Sequence, residues 1–148
     1  MKFAHLVLSV LLMLPVAGRA APKSPVVKEH KVLQIEVNRE LGGETPEFEV
    51  LKNLGEEVSI PTKSEIKYLI VESMAQVTSR RAVRGSSLSV DVLVGDQKVG
   101  ELKFDMSLTP QTSHQLLELN RAVNKVNAPL ILRNRGMQVT LRSIWLVY

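Results

Sequence analysis

The segment from Ser86 to Phe104, SSLSVDVLVGDQKVGELKF, admits few folds. Leu88, Val90, Val92 and Val94 alternate with Ser89 and Asp91, the period of two by which a strand buries one face and wets the other. Leu93 alone breaks the alternation. Gly95-Asp96-Gln97-Lys98 supplies turn chemistry, a glycine free to take positive φ followed by an Asp that can hydrogen-bond its own backbone. Val99 to Phe104 returns as a second strand. The rest of the chain is expected to pack further strands around this hairpin, with Val92 pointing inward on a central strand.

Before the hairpin, Leu33, Ile35 and Val37 alternate with polar residues as a first strand, and Leu41 to Pro46 breaks it with two glycines and a proline. Glu47 to Leu51 reads as a short second strand with its acids outward, and Val58 and Ile60 as another piece ended by Pro61. Ile66 to Val77 supports two readings. Thr62-Lys63-Ser64-Glu65 fits a capping box, and Ile66, Leu69, Ile70, Ser73, Met74 and Val77 share a helical stripe. Tyr68-Leu69-Ile70-Val71 is instead a partly β-branched run suited to a strand buried on both faces, and strand is the preferred reading. After the hairpin, Ser107 to Ser113 reads as a loop. His114 to Leu119 is a strand with Leu117 and Leu119 inward, or a helix along Leu116, Leu119 and Val123. Leu130 to Leu132 is a short strand, Asn134-Arg135-Gly136 a turn, and Met137 to Tyr148 a long central strand. There Val139, Leu141, Ser143, Trp145 and Val147 are expected on one face, with Arg142, Ile144, Leu146 and Tyr148 on the other. Regular strands with turns between them predict an all-β antiparallel sandwich, jelly-roll-like, with room for one short helix.

The chain has 148 residues and no cysteine, so no disulfide can contribute and stability must come from packing. It opens MKFAHLVLSVLLMLPVAGRA, one lysine ahead of an apolar run from Leu6 to Val16 and small residues at Gly18 and Ala20. That layout predicts a signal peptide over residues 1–20, too short to span a bilayer. Residues 21–31 are then a flexible lead-in, and residues 32–148 a single domain exported to the periplasm or beyond the cell. The formal charge is +4; Lys2 and Arg19 lie in the leader and no acid does, leaving about +2 on the remainder. Nucleic acid is excluded as a partner, because the Lys and Arg residues do not cluster with stacking aromatics on one element. A transmembrane barrel is excluded as well, since 4% aromatic content cannot build interfacial girdles.

The order of features from Ile66 to Tyr148, a strand ending in Glu72-Ser73, a polar loop, the hairpin, HQLLELN and LILRNRGMQVTLRSIWLVY, resembles the second half of a galactose-binding-domain-like jelly roll of the kind found in carbohydrate-binding modules. The resemblance implies ligands held by loops at one end of the sandwich or in a concave face. It also implies that any calcium is structural, with no ligand residue transferable by position.

Chemistry is sparse. Beyond the leader only His30 and His114 remain, without metal-ligand spacing, and there is no nucleophile elbow and no calcium-loop series around Asp96 or Asp105. Glu44, Glu47 and Glu49, or Glu56 and Glu57, read as surface charge; a glycosidase pair is a matter of spatial separation, roughly 5 to 9 Å. No cofactor or metal is expected, and no catalysis. Beyond the leader the aromatic residues are Phe48, Tyr68, Phe104, Trp145 and Tyr148, with Phe48, Phe104 and Trp145 assigned to the core and Tyr148 the best surface candidate. Arg80, Arg81 and Arg84 lie together in a polar loop, a candidate contact for an anionic ligand. The function expected on these grounds is a secreted module that binds a glycan or another envelope component through Arg80, Arg81, Arg84 and Tyr148. The alternative is an envelope assembly protein that docks on a partner protein through a sheet surface.

Overall fold

The computed structural model describes residues 30–52, 54, 65–75 and 87–148. The leader, most of the lead-in, the piece around Val58 and Ile60, and the loop bearing Arg80, Arg81 and Arg84 lie outside the described residues.

Eight strands form two four-stranded antiparallel sheets. They are β1 (Val32–Leu41), β2 (Glu47–Glu49), β3 (Glu65–Ala75), β4 (Ser87–Val94), β5 (Gln97–Asp105), β6 (Gln111–Ala122), β7 (Leu130–Arg133) and β8 (Val139–Val147). The first sheet runs β1-β8-β3-β6 and the second β2-β7-β4-β5. Four of the pairings are nested: β4 with β5, β3 with β6, β2 with β7 and β1 with β8. A chain paired in that way is one long hairpin, and the additional pairings β3 with β8 and β4 with β7 roll it up. This is the jelly roll. The hairpin conspicuous in the sequence is its tip.

The core is the space between the sheets. Ile35, Leu69, Val71, Leu141, Ile144 and Leu146 face inward from the first sheet, and Phe48, Leu88, Val90, Val92, Leu102, Phe104, Leu130 and Leu132 from the second. Val92 is fully buried, as its alternation predicts. Leu93 takes the outward phase yet is buried, opposite Ile131 of β7. Beside it β5 carries one extra residue, since Val92 pairs with Gly100 and Leu93 with Lys98.

Both segments that left a helix open are strands. In β3 the side chains of Leu69 and Val71 enter the core while Tyr68 and Ile70 lie half-buried on the other face, so apolar residues on both sides of a strand had imitated a helical stripe. In β6 the strand begins directly after Pro110, three residues before the expected start, and Leu117 and Leu119 do turn inward. Val50 and Leu51 are buried turn residues rather than strand.

The largest correction concerns β8. Glu72 of β3 pairs with Ser143 and Ser73 with Leu141, so Arg142 is an inserted residue. A bulge reverses the phase of every side chain beyond it. Val139 and Leu141 are therefore buried as expected, but past the bulge Ile144 and Leu146 are the inward residues and Trp145 and Val147 face out. Trp145 is not a core tryptophan.

One end of the sandwich is closed by a buried amide. Asn134, 1% exposed, donates through Nδ2 to the carbonyls of Leu41 at 2.9 Å and Met137 at 2.7 Å, and its Oδ1 accepts the Gly136 amide at 2.8 Å. Its own amide donates to Pro46 at 2.7 Å. The turn between β1 and β2 is thereby tied to the turn between β7 and β8. Gly42 is required there, with φ at +121° and a position where a Cβ would stand 2.9 Å from the Asn134 Nδ2.

Candidate protein-docking face

The strand registers assemble the outer face of the first sheet row by row. Gln34 of β1, Trp145 of β8, Ile70 of β3 and Leu116 of β6 form one row, and Val32, Val147, Tyr68 and Glu118 the next. Glu36, Ser143, Glu72 and His114 form the third. The first two rows hold six apolar or aromatic side chains on the solvent side of the sheet, of which Leu116 is 63% and Val32 57% exposed while Trp145, Ile70, Tyr68 and Val147 are half-buried by one another. The third row is polar. The His114 ring leans on Trp145 with centroids 5.9 Å apart, and its Nε2 lies 3.8 Å from the Glu72 carboxylate. Arg142, extruded by the bulge, reaches back to the Met74 sulfur at 3.9 Å. An aromatic and aliphatic centre bordered by charge is the composition of a protein-docking surface.

The outer face of the second sheet is different in kind. Its middle row is Glu47, Arg133, Asp91 and Glu101, charged throughout. Arg133 donates to Glu47 at 2.7 Å, and Lys98 bridges Asp91 at 2.5 Å and Glu101 at 3.5 Å. The Asp91 hydrogen bond, with help from Glu101, holds the Lys98 ammonium above its usual 10.5, against a smaller opposing effect of burial. A hydrogen bond from Ser89, then the charges of Lys98 and Lys103, hold the Glu101 carboxyl below its usual 4.5. A cleft of about 370 Å³ opens beside this row between Arg39, Glu47, Phe48, Glu49, Lys52 and Ile131. Phe48 contributes little to it, being 8% exposed and part of the core.

Of the residues expected to carry a site, Tyr148 lies among the described residues. Tyr148 is half-buried and held by its backbone, exchanging hydrogen bonds of 2.9 Å with Lys31 that extend the β1–β8 ladder. Arg80, Arg81 and Arg84 fall outside the described residues. The described end loops spend polar groups on the chain itself: besides Asn134, the side-chain Oδ1 of Asn124 accepts the amides of Val126, Asn127 and Ala128. The residues the sequence reading missed are Trp145, Ile70, Leu116 and Val147. Their signal was present in Tyr68-Leu69-Ile70-Val71 and Leu116-Leu117, where adjacent apolar residues put one on each face.

No protein-family model matches the chain, and no curated protein matches it in sequence. Among solved structures the coat protein of Tobacco streak virus matches at a TM-score of 0.44 and 13% identity, over 80% of this chain and 84% of that one. That match is not to a galactose-binding-domain-like module, and the expected resemblance to that family is withdrawn. The reading of end loops that grip a glycan goes with it. Among the described residues, the outward-facing aromatic side chains Tyr68 and Trp145 lie on the first sheet rather than in the loops.

Proposed function

We propose that this chain is a non-catalytic structural protein that joins an assembly by docking the outer face of its β1-β8-β3-β6 sheet on another protein surface. The row Trp145, Ile70 and Leu116 carries this reading, since a contiguous apolar patch on the wet side of a sheet costs solubility unless something covers it. The N-terminal apolar run supports an assembly in the cell envelope or outside the cell.

The chain has a single tryptophan, so its fluorescence reports on this face alone. As the purified protein associates, with itself or in an envelope extract, Trp145 emission should shift to the blue and its quenching by acrylamide should fall. A tryptophan that stays fully quenchable in every associated form would refute docking through this face.

A further inference from the structure

We infer that the β6 edge pairs antiparallel with the β6 edge of a second copy about a twofold axis at Leu116, which makes the two outer faces one continuous surface; this rests on the assembly reading above. The first observation is the condition of the four sheet edges. An unprotected edge strand is a template for another strand, and proteins blunt edges with short length, bulges, lysine or proline. β2 has three residues. β1 is broken between Glu36 and Arg39, with Asn38 at φ 47°. β5 carries Lys98, Lys103 and its bulge at Val99. β6 pairs only with β3 among the described residues, has no lysine or proline, and runs without irregularity from Gln111 to Glu118. Its disruption comes only beyond that stretch, near Asn120 at φ 46°.

The second observation is charge complementarity. The outward residues of β6 are Thr112, His114, Leu116 and Glu118. With the axis at Leu116, each leucine faces its copy, and each His114 faces the Glu118 of the other chain, twice. Opposite charges directly across a ladder stabilise it, and a register one residue away would set His114 against leucine instead. A closed twofold contact of this kind is self-limiting. It also places the two rows of Trp145, Ile70 and Leu116 end to end, so the exposed Leu116 becomes the middle of the patch rather than its margin.

Sedimentation of the protein against concentration, at neutral and at mildly acidic pH, tests this. The groups facing His114 are Glu72 and the Trp145 ring on its own sheet, so Glu118→Lys, which leaves that contact alone, is the cleaner variant. Glu118→Lys should weaken the dimer about tenfold by setting like charges across the axis twice, and adding His114→Glu should restore it. Leu116→Lys should weaken it about a hundredfold, while its exposed position leaves the melting temperature close to wild type. A protein that stays monomeric at all concentrations, a dimer indifferent to Glu118→Lys and Leu116→Lys, or a double variant that fails to recover, would each overturn the edge pairing. In those cases a shielded Trp145 still supports docking by the face, whereas an edge dimer whose Trp145 is never shielded in larger species sinks the docking reading and spares the edge.

Discussion

The two sheets share one core and differ entirely on their outer sides. On the first, Trp145, Ile70 and Leu116 lie in register across three strands with nothing charged between them. On the second, Glu47, Arg133, Asp91 and Glu101 occupy the corresponding kind of row and neutralise one another with Lys98. Both solutions satisfy a sheet with one dry side. They meet water differently, because a row of paired charges is well solvated while a row of tryptophan, isoleucine and leucine is not.

Substitutions should separate what the faces share from what divides them. The largest effect is expected in the common core: Val92→Asp buries an unpaired carboxylate and should cost several kcal/mol out of the roughly 5 to 15 kcal/mol that holds a domain, leaving no cooperative melting transition in circular dichroism. Next is Asn134→Ala, which abandons the carbonyls of Leu41 and Met137 and the amide of Gly136 at the closed end. It should cost about 3 kcal/mol in chemical denaturation, the scale of stranding buried polar groups. Loss of only a few tenths would mean that water replaces the amide.

On the outer faces the comparison sharpens. Ile70→Thr combined with Trp145→Ser should lower stability by only about 1 to 2 kcal/mol, since both side chains are half-exposed, yet remove association seen by sedimentation. Glu47→Gln, which breaks the pair with Arg133 on the other face, should do neither. Equal loss of association in both would erase the distinction between the faces. The smallest effect is that of pH. Lys98, raised above 10.5, contributes stability that is complete below that value and is lost as pH rises through the raised one. Glu101, lowered beneath 4.5, contributes above that value and loses its contribution as pH falls through the lowered one. The melting temperature of wild type relative to Lys98→Met and Glu101→Gln should therefore be flat through neutrality and converge at both extremes.

The fold was legible because alternation is local. Val90, Val92, Leu102 and Phe104 declare their inward phase from their neighbours alone, and all four are buried. The apolar outer row was hidden for a matching reason: a strand's phase can be carried forward only while nothing is inserted. Arg142 is inserted, and no residue type in Leu141-Arg142-Ser143 announces it. The alternation therefore assigned Trp145 to the core, and the apolar row it anchors could not be seen. Pairing across strands is similarly invisible. Ile70 and Leu116 are forty-six positions apart, and only the roll of the chain places them side by side. The expectation of glycan binding came from the order of elements, and a jelly roll's element order is silent about what its surfaces touch.

Gly100 gives the edge strand a property of its own. It sits on β5 facing β6 of the other sheet, and a Cβ there would meet the Leu117 methyl carbons at 2.5 and 2.8 Å. The missing side chain lets Leu117 of β6 rest directly on the backbone of the opposite sheet. An outermost strand ordinarily frays, and whatever binds it must supply the free energy of ordering it. Here that entropy has already been surrendered during folding, so β6 meets an incoming strand as a rigid rail, and the free energy of each new ladder bond goes into affinity rather than into stilling the rail.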